Sequence, residues 1–198
     1  LVLQAGPDAR ARVAALLEQI GARPGSIVVG VNPGSTNGMA KRWLPERFAA
    51  VAAAIVREAG ARIVVTGVEA ERELADQVAA EANRAAPVAR GAAVSLAGRL
   101  DLGEFVALTE RLRLFVTNDS GAMHIAAAVG VPIVAIFGST EWSRTAPWSD
   151  RAVLVRKDTD CAPCMLRECP TQHECMKKIE VADVYEAVAR QLAAAPSA

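Results

Sequence analysis

Leu114-Phe115-Val116-Thr117-Asn118-Asp119-Ser120-Gly121 is an apolar run that turns polar abruptly and ends on a glycine. Leu114-Phe115-Val116-Thr117 has the continuous apolar, β-branched content of a strand buried on both faces. Beyond Gly121, small residues continue to Gly130, a pattern suited to a helix stopped by glycine. A buried strand passing straight into a helix through a short polar loop is one step of a parallel βαβ unit.

The same step repeats in both directions. Residues 26–31 read as a buried strand ended by Asn32-Pro33-Gly34-Ser35, and Pro45 suits a first helical position. Phe48, Val51, Ala52 and Ile55 then recur at helical spacing. Residues 62–66 predict a second strand, followed by a Glu- and Ala-rich helix over 69–83. A short third strand is expected at 94–97, with Asp101 capping a helix that buries Phe105, Leu108, Thr109 and Leu112. Residues 132–137 are the fifth expected strand, and a late helix over 181–192 turns Val184, Val188 and Leu192 inward. The expected fold is α/β: a Rossmann-like, doubly wound parallel sheet without internal repeats. Residues 1–24 stand apart, with a scrap of strand at Val2-Leu3 and a helix over 8–20, and read as a lead-in to a domain over 25–198.

Composition limits what such a domain does. The chain has 198 residues, 52% of them apolar, enough for one domain with a substantial core. Lys and Arg number 22 and Asp and Glu number 22, so no broad charge favours nucleic acid or an anionic membrane. The longest uncharged apolar run, 125–138, is interrupted by Gly130 and Pro132 and is shorter than the roughly 20 residues a membrane helix needs. Residues 1–6 lack the pattern of a signal peptide, and a cytoplasmic protein is the expectation.

In an open parallel sheet, ligands collect where strands end at their C-termini. Five polar or Gly-rich loops are expected there: 32–41, 67–69, 98–101, 117–124 and 138–141. In the fourth, Asp119 or Ser120 is placed to cap the next helix, and Gly121 lets a ligand approach the backbone. Free amides at that helix start favour a phosphate or diphosphate, and His124 lies one turn further in. Lys41 could neutralise such a ligand, although the Gly-Lys-Ser/Thr ending of a P-loop is absent. Glu69 stands where an acidic side chain holds ribose hydroxyls. Each feature has a plainer alternative: an ordinary capped helix, a packed histidine, a solvated lysine, a carboxylate at a helix start. Trp43 reads as a core anchor.

All four cysteines fall in Cys161-x2-Cys164-x4-Cys169-x5-Cys175, which argues against a spread disulfide framework. The spacing is compatible with a tetrahedral zinc site or an iron–sulfur cluster, with His173 as a substitute ligand. Local disulfides or free thiols are the alternatives, and no metal ligand is assigned.

Taken together, Asn32-Pro33-Gly34-Ser35, Ala40-Lys41-Arg42-Trp43, Ser95-Leu96-Ala97-Gly98 and Thr117-Asn118-Asp119-Ser120-Gly121 resemble glycosyltransferase family 9, the heptosyltransferases of lipopolysaccharide core synthesis. Met123-His124, Ala126-Ala127-Ala128 and Gly130-Val131-Pro132 continue the likeness, which spans roughly residues 26–190. Gly38-Met39-Ala40-Lys41-Arg42-Trp43 looks most like the heptosyltransferase II branch.

The resemblance implies the C-terminal, donor-binding half of a GT-B glycosyltransferase. Its donor would be ADP-heptose, with no cofactor required, and its acceptor a heptose of the lipopolysaccharide inner core. By the same resemblance, Lys41, Ser35 and Thr36 would meet the donor diphosphate, Glu69 the ribose and Leu100 the adenine. Asp119 would orient the sugar, while Ser120, Gly121 and His124 line the phosphate side; Asp119 and Lys41 would be the catalytic pair. Residues 1–24 would be the interdomain linker, the acceptor surface would belong to an absent N-terminal domain, and the isolated chain would be inactive. Peripheral contact with the cytoplasmic face of the inner membrane is a further expectation. A nucleotide-sugar epimerase half and a non-catalytic nucleotide-binding or docking module are the rival readings.

Overall fold

Val28–Asn32 (β1) and Leu114–Asn118 (β4) run side by side, in parallel, at the centre of a six-stranded sheet. The computed structural model describes residues 2–36, 38–87 and 91–194. Strands β2 (Arg62–Val65), β3 (Ala93–Ser95), β5 (Ile133–Ile136) and β6 (Ala152–Val155) complete the order β3-β2-β1-β4-β5-β6. Every pairing is parallel, as the apolar strands required. The strand order reverses between β1 and β4, so their C-terminal ends flank the crevice where doubly wound sheets take ligands.

The pleat divides the core in two. Val29, Val31, Leu114, Val116, Val134 and Ile136 face one side, packing with α2 (Pro45–Ala59), α3 (Arg72–Ala85) and α8 (Val181–Ala194). Val28, Phe115, Ile133 and Ala135 face the other, against α1 (Pro7–Gln19), α4 (Leu102–Thr109) and α5 (Gly121–Val129). Gly30 interrupts β1 because a Cβ there would come within 2.5 Å of the Phe115 ring. Trp43 is the anchor the sequence suggested. It is 1% exposed, its indole N–H donates to the Ile179 carbonyl (3.0 Å), and its ring meets Phe48 edge to face. Burying an aromatic of this size contributes about 3 kcal/mol.

Helix boundaries follow local chemistry. Pro45 opens α2 and Gly60 closes it in the left-handed conformation, φ 60°. Asp101 caps α4 reciprocally with Glu104: the Glu104 amide donates to Asp101 Oδ1 (2.7 Å), and the Asp101 amide to Glu104 Oε2 (2.9 Å).

Three expectations change. The sequence reading stopped at five strands, but β6 pairs with β5 along the sheet edge. It is short, three of its four residues are half-buried, and charged Arg151, Arg156 and Lys157 flank it, so it lacks the continuous apolar signature of the inner strands. The helix expected from residue 69 begins as a 3-10 turn, Glu69–Glu71, before α3 starts at Arg72. Val2-Leu3 is not a strand: Leu3 gives one amide bond to the Ala128 carbonyl (2.9 Å). The segment containing α1 nevertheless packs onto the same body. Ala9, Val13 and Leu17 are buried in the second core, and Arg10 bonds Glu110 at the end of α4.

Candidate functional site

Two asparagines end the central strands and build the crevice floor. Asn118 Nδ2 donates to the Pro33 carbonyl (2.8 Å) and the Gly34 carbonyl (3.3 Å), while its Oδ1 accepts the Trp43 amide (2.9 Å). Asn32 Nδ2 donates to the Gly34 carbonyl (3.3 Å), and Thr66 Oγ1 donates to Asn32 Oδ1 (3.2 Å). Asn32, Thr66, Thr117 and Asn118 are all buried, so these bonds satisfy groups that would otherwise be costly to desolvate. The network fixes the first rim loop against the ends of β1 and β4.

Within that loop, Met39–Lys41 forms a 3-10 turn held from outside as well. The Ala40 amide donates to the Arg167 carbonyl (3.0 Å), and His173 Nε2 meets the Ala40 carbonyl (2.9 Å). Asn37 of the same loop lies outside the described residues. The result is to aim Lys41 across the crevice, where its Nζ donates to Asp119 Oδ2 at 2.9 Å. Asp119 is buried and also accepts from Thr145 Oγ1 (3.4 Å), on the short helix α6 (Trp142–Thr145). The two residues expected to work together are thus already an ion pair.

The capping expectation for Asp119 and Ser120 is corrected. Ser120 occupies the N-cap position of α5 but makes no side-chain cap bond. Its Oγ pairs with Thr117 Oγ1 (3.2 Å), and the Asp119 carboxylate is engaged by Lys41 and Thr145. The Gly121 and Ala122 amides at the start of α5 are therefore left uncapped by these side chains and suit an anion, while the Met123 amide donates to the Ser120 carbonyl (3.2 Å). A Cβ on Gly121 would meet nothing within 4 Å, so the space over the helix start is open. His124, one turn along, is exposed.

The other expected residues form a second group beyond β2 and β3. Glu69 is exposed and paired with Arg72, and Gly98 lies against it: a Cβ there would sit 2.9 Å from Glu69 Cα. Leu100 is half-buried against the second core. Between the groups, Ser35 is buried and its carbonyl accepts from Arg42 Nη2 (3.2 Å), while Thr36 is exposed. Sequence reasoning missed Asn32 and Asn118 as a framework, although polar residues closing two apolar strands were a usable signal. It also missed Thr145 and the buried Glu71, whose roles depend on contacts with distant loops.

Cys161, Cys164 and Cys169 lie between β6 and α7 (Glu174–Lys177), and Cys175 lies within α7, against the end of β5. All four are free; Cys164 Sγ is 3.8 Å from the Ser139 carbonyl, and burial pushes the Cys175 thiol up to about 11. Cys169 goes the other way, lowered by the Thr171 hydroxyl. Among the described residues, no three His, Cys, Asp or Glu side chains are gathered as a metal ion requires. Among them, too, no helix is long and apolar enough to cross a membrane.

Comparison with known proteins bears directly on this site. The model of glycosyltransferase family 9 (heptosyltransferase) matches residues 7–174. Lipooligosaccharide heptosyltransferase 2 of Campylobacter jejuni is 36% identical over 169 residues, covering 83% of this chain and 50% of that protein. Among solved structures, Escherichia coli ADP-heptose lipopolysaccharide heptosyltransferase II superposes with a TM-score of 0.79 at 27% identity, over 97% of this chain and 53% of that one. A family 9 glycosyl transferase from Veillonella parvula gives a TM-score of 0.83 at 25% identity, over 98% and 54%. The chain spans about half the length of these relatives. Its matched residues include the whole crevice, and it belongs to glycosyltransferase family 9.

Proposed function

We propose that this chain is the donor-binding half of a heptosyltransferase that takes ADP-heptose for inverting transfer to a heptose of the lipopolysaccharide inner core. The observation that carries the reading is the Lys41–Asp119 pair set beside the uncapped start of α5, at the point where the strand order reverses. In this reading, a donor diphosphate settles on the open amides of α5 near Ser120, Gly121 and His124. It offers Lys41 a second anion, and Lys41 shifts from Asp119 toward the phosphate oxygens as the leaving group gains charge. Asp119, released from Lys41 but still bonded to Thr145, accepts hydroxyls of the sugar or stabilises positive charge on its ring. Glu69 holds the ribose, Leu100 lies near the adenine, and Ser35 and Thr36 border the diphosphate.

Inversion requires the acceptor hydroxyl to attack the anomeric carbon opposite the departing diphosphate, forming one C–O bond as the other breaks. The acceptor surface and the base that removes its proton belong, in this proposal, to another domain, with residues 1–24 leading from it. Exposed Met39, Val68, Leu102, Trp142 and Trp148 all lie on or just beyond the loops at this rim, which supports a covering partner there. The enzyme would act in the cytoplasm, at the membrane face that presents the acceptor. Relatives matched over most of the chain are heptosyltransferases, so the epimerase reading is not favoured.

Calorimetric titration with ADP, UDP and GDP tests the proposal. Preference for ADP supports it, preference for UDP sinks the ADP-heptose assignment, and no nucleotide binding would leave a docking module. Heptose transfer by the 198-residue chain alone would refute the need for another domain.

A further inference from the structure

At the opposite end of the rim from Glu69, the loops after β5 and β6 enclose a cavity of about 100 Å³ that the transfer scheme does not use. Thr140, Glu141 and Trp142 line it from the first loop, and Arg156, Lys157 and Asp158 from the second. Thr140 is buried at 5% exposure, and its Oγ1 finds no hydrogen-bond partner among the described residues. A buried hydroxyl is costly without a partner, and a polar ligand in the cavity would supply one. Trp142 is 41% exposed, with the Arg156 guanidinium 5.0 Å over its ring. Arg156 also pairs with Asp158, and Lys157 with Asp183 (2.7 Å). Two cations thus line the cavity beside two carboxylates, and no net charge selects an anion. Donors and acceptors stand together next to an indole. That combination suits a ring carrying hydroxyls, because each hydroxyl both donates and accepts while the C–H face of the ring packs on an aromatic side chain.

The short helix α6 ties this cavity to the crevice. Trp142 is its first residue, and Thr145, its last, donates to Asp119 (3.4 Å). The two lie about 5 Å apart along the helix axis. We propose that the cavity is a saccharide subsite, taking one pyranose unit of the acceptor, with its hydroxyls on Thr140, Arg156 and Asp158 and its ring against Trp142. No bond is made or broken there; the subsite holds the acceptor chain beside the sugar that Asp119 orients. Assigning the unit to the acceptor rests on the donor-site reading above, whereas the fit to a sugar does not, and the ligands of the test separate the two.

The test follows the three indole N–H signals of the 198-residue chain by nuclear magnetic resonance, with Trp142→Phe identifying that of Trp142. A methyl heptoside is expected to shift the Trp142 signal saturably, with a Kd of about 5 mM, and to leave buried Trp43 and exposed Trp148 in place. Thr140→Val keeps the shape and removes the unpartnered hydroxyl. Its melting temperature should hold or rise, while heptoside affinity falls about fivefold, or about 1 kcal/mol. A lower melting temperature with unchanged affinity would make Thr140 merely structural and overturn the proposal. Equal shifts at Trp142 and Trp148, or none by about 50 mM, overturn it too, as does an equal response to inorganic phosphate. Saturating ADP-heptose should leave heptoside affinity within about twofold; competition would place the donor's own sugar in the cavity and overturn the acceptor assignment. A chain that binds the heptoside but not ADP-heptose overturns the donor-site reading and the acceptor assignment, and leaves the saccharide subsite standing.

Discussion

Lys41→Met separates the two halves of the central ion pair, and the structure makes those halves unequal. The Asp119 side chain is 4% exposed and that of Lys41 18%. At 2.9 Å and an effective dielectric of about 20, their gross attraction is about 6 kcal/mol, most of it offset by desolvating the carboxylate. Methionine removes the attraction and leaves that desolvation in place, with Thr145 the remaining hydrogen-bond donor. Removing one partner of a buried pair costs about 3–5 kcal/mol, and the retained Thr145 bond places this variant near the lower bound, about 3 kcal/mol. Asp119→Asn leaves the ammonium free to turn toward water and should cost only about 1 kcal/mol. The double variant should recover most of the loss, because both single changes act on one contact. Urea unfolding followed by circular dichroism, at constant slope, reads all three. A Lys41→Met chain within about 0.5 kcal/mol of the parent would refute the argument, as would equal costs for the two single variants. The folded Lys41→Met chain should also bind ADP at least about tenfold more weakly.

Three further outcomes are expected. Gly121→Ala places a methyl in open space at the start of α5, so stability should rise by about 0.5 kcal/mol while ADP affinity falls; loss of stability, or unchanged ADP affinity, contradicts this. Alkylation near pH 8, followed by peptide mapping, should modify Cys169 first and Cys175 last, because the Thr171 hydroxyl lowers one thiol and burial raises the other to about 11. Glu110 is held below the usual carboxylate range by the Arg10 guanidinium and, to a smaller degree, the Ala5 amide. Its contribution is thus present above about pH 4.3, the unfolded value, and is lost as pH falls from there through the folded value. Glu110→Gln should flatten that part of the acid-unfolding profile; an unchanged slope would show that the pair does not couple to folding.

Much of the scaffold was legible locally. Val29, Val31, Leu114, Val116 and Val134 sit in uninterrupted apolar runs because a parallel strand is covered on both faces. Pro45, Asp101 and Gly130 mark helix ends because backbone geometry and capping chemistry act within a few residues. The edge strand β6 escaped notice because partial exposure on one side weakens that apolar signature. The rim loops were equally visible, since strands alternating with helices put every strand end on one side of the sheet.

What the site does with those loops depended on distance through space. Sequence marked Asp119 and Ser120 as capping types, a preference that operates within one turn. Tertiary packing instead sent Asp119 to Lys41, 78 residues away, and turned Ser120 toward Thr117. Glu71 was not singled out within the Glu- and Ala-rich run, and only the approach of Gly34 and Arg42 buries it. The sequence alone therefore determined the succession of the five inner apolar strands with the helices between them, and the loops that face a ligand, because propensity, capping and hydrophobic period are short-range. The tertiary structure alone decided which charges meet, because an ion pair forms between whatever groups the folded sheet brings within about 4 Å, at any separation along the chain.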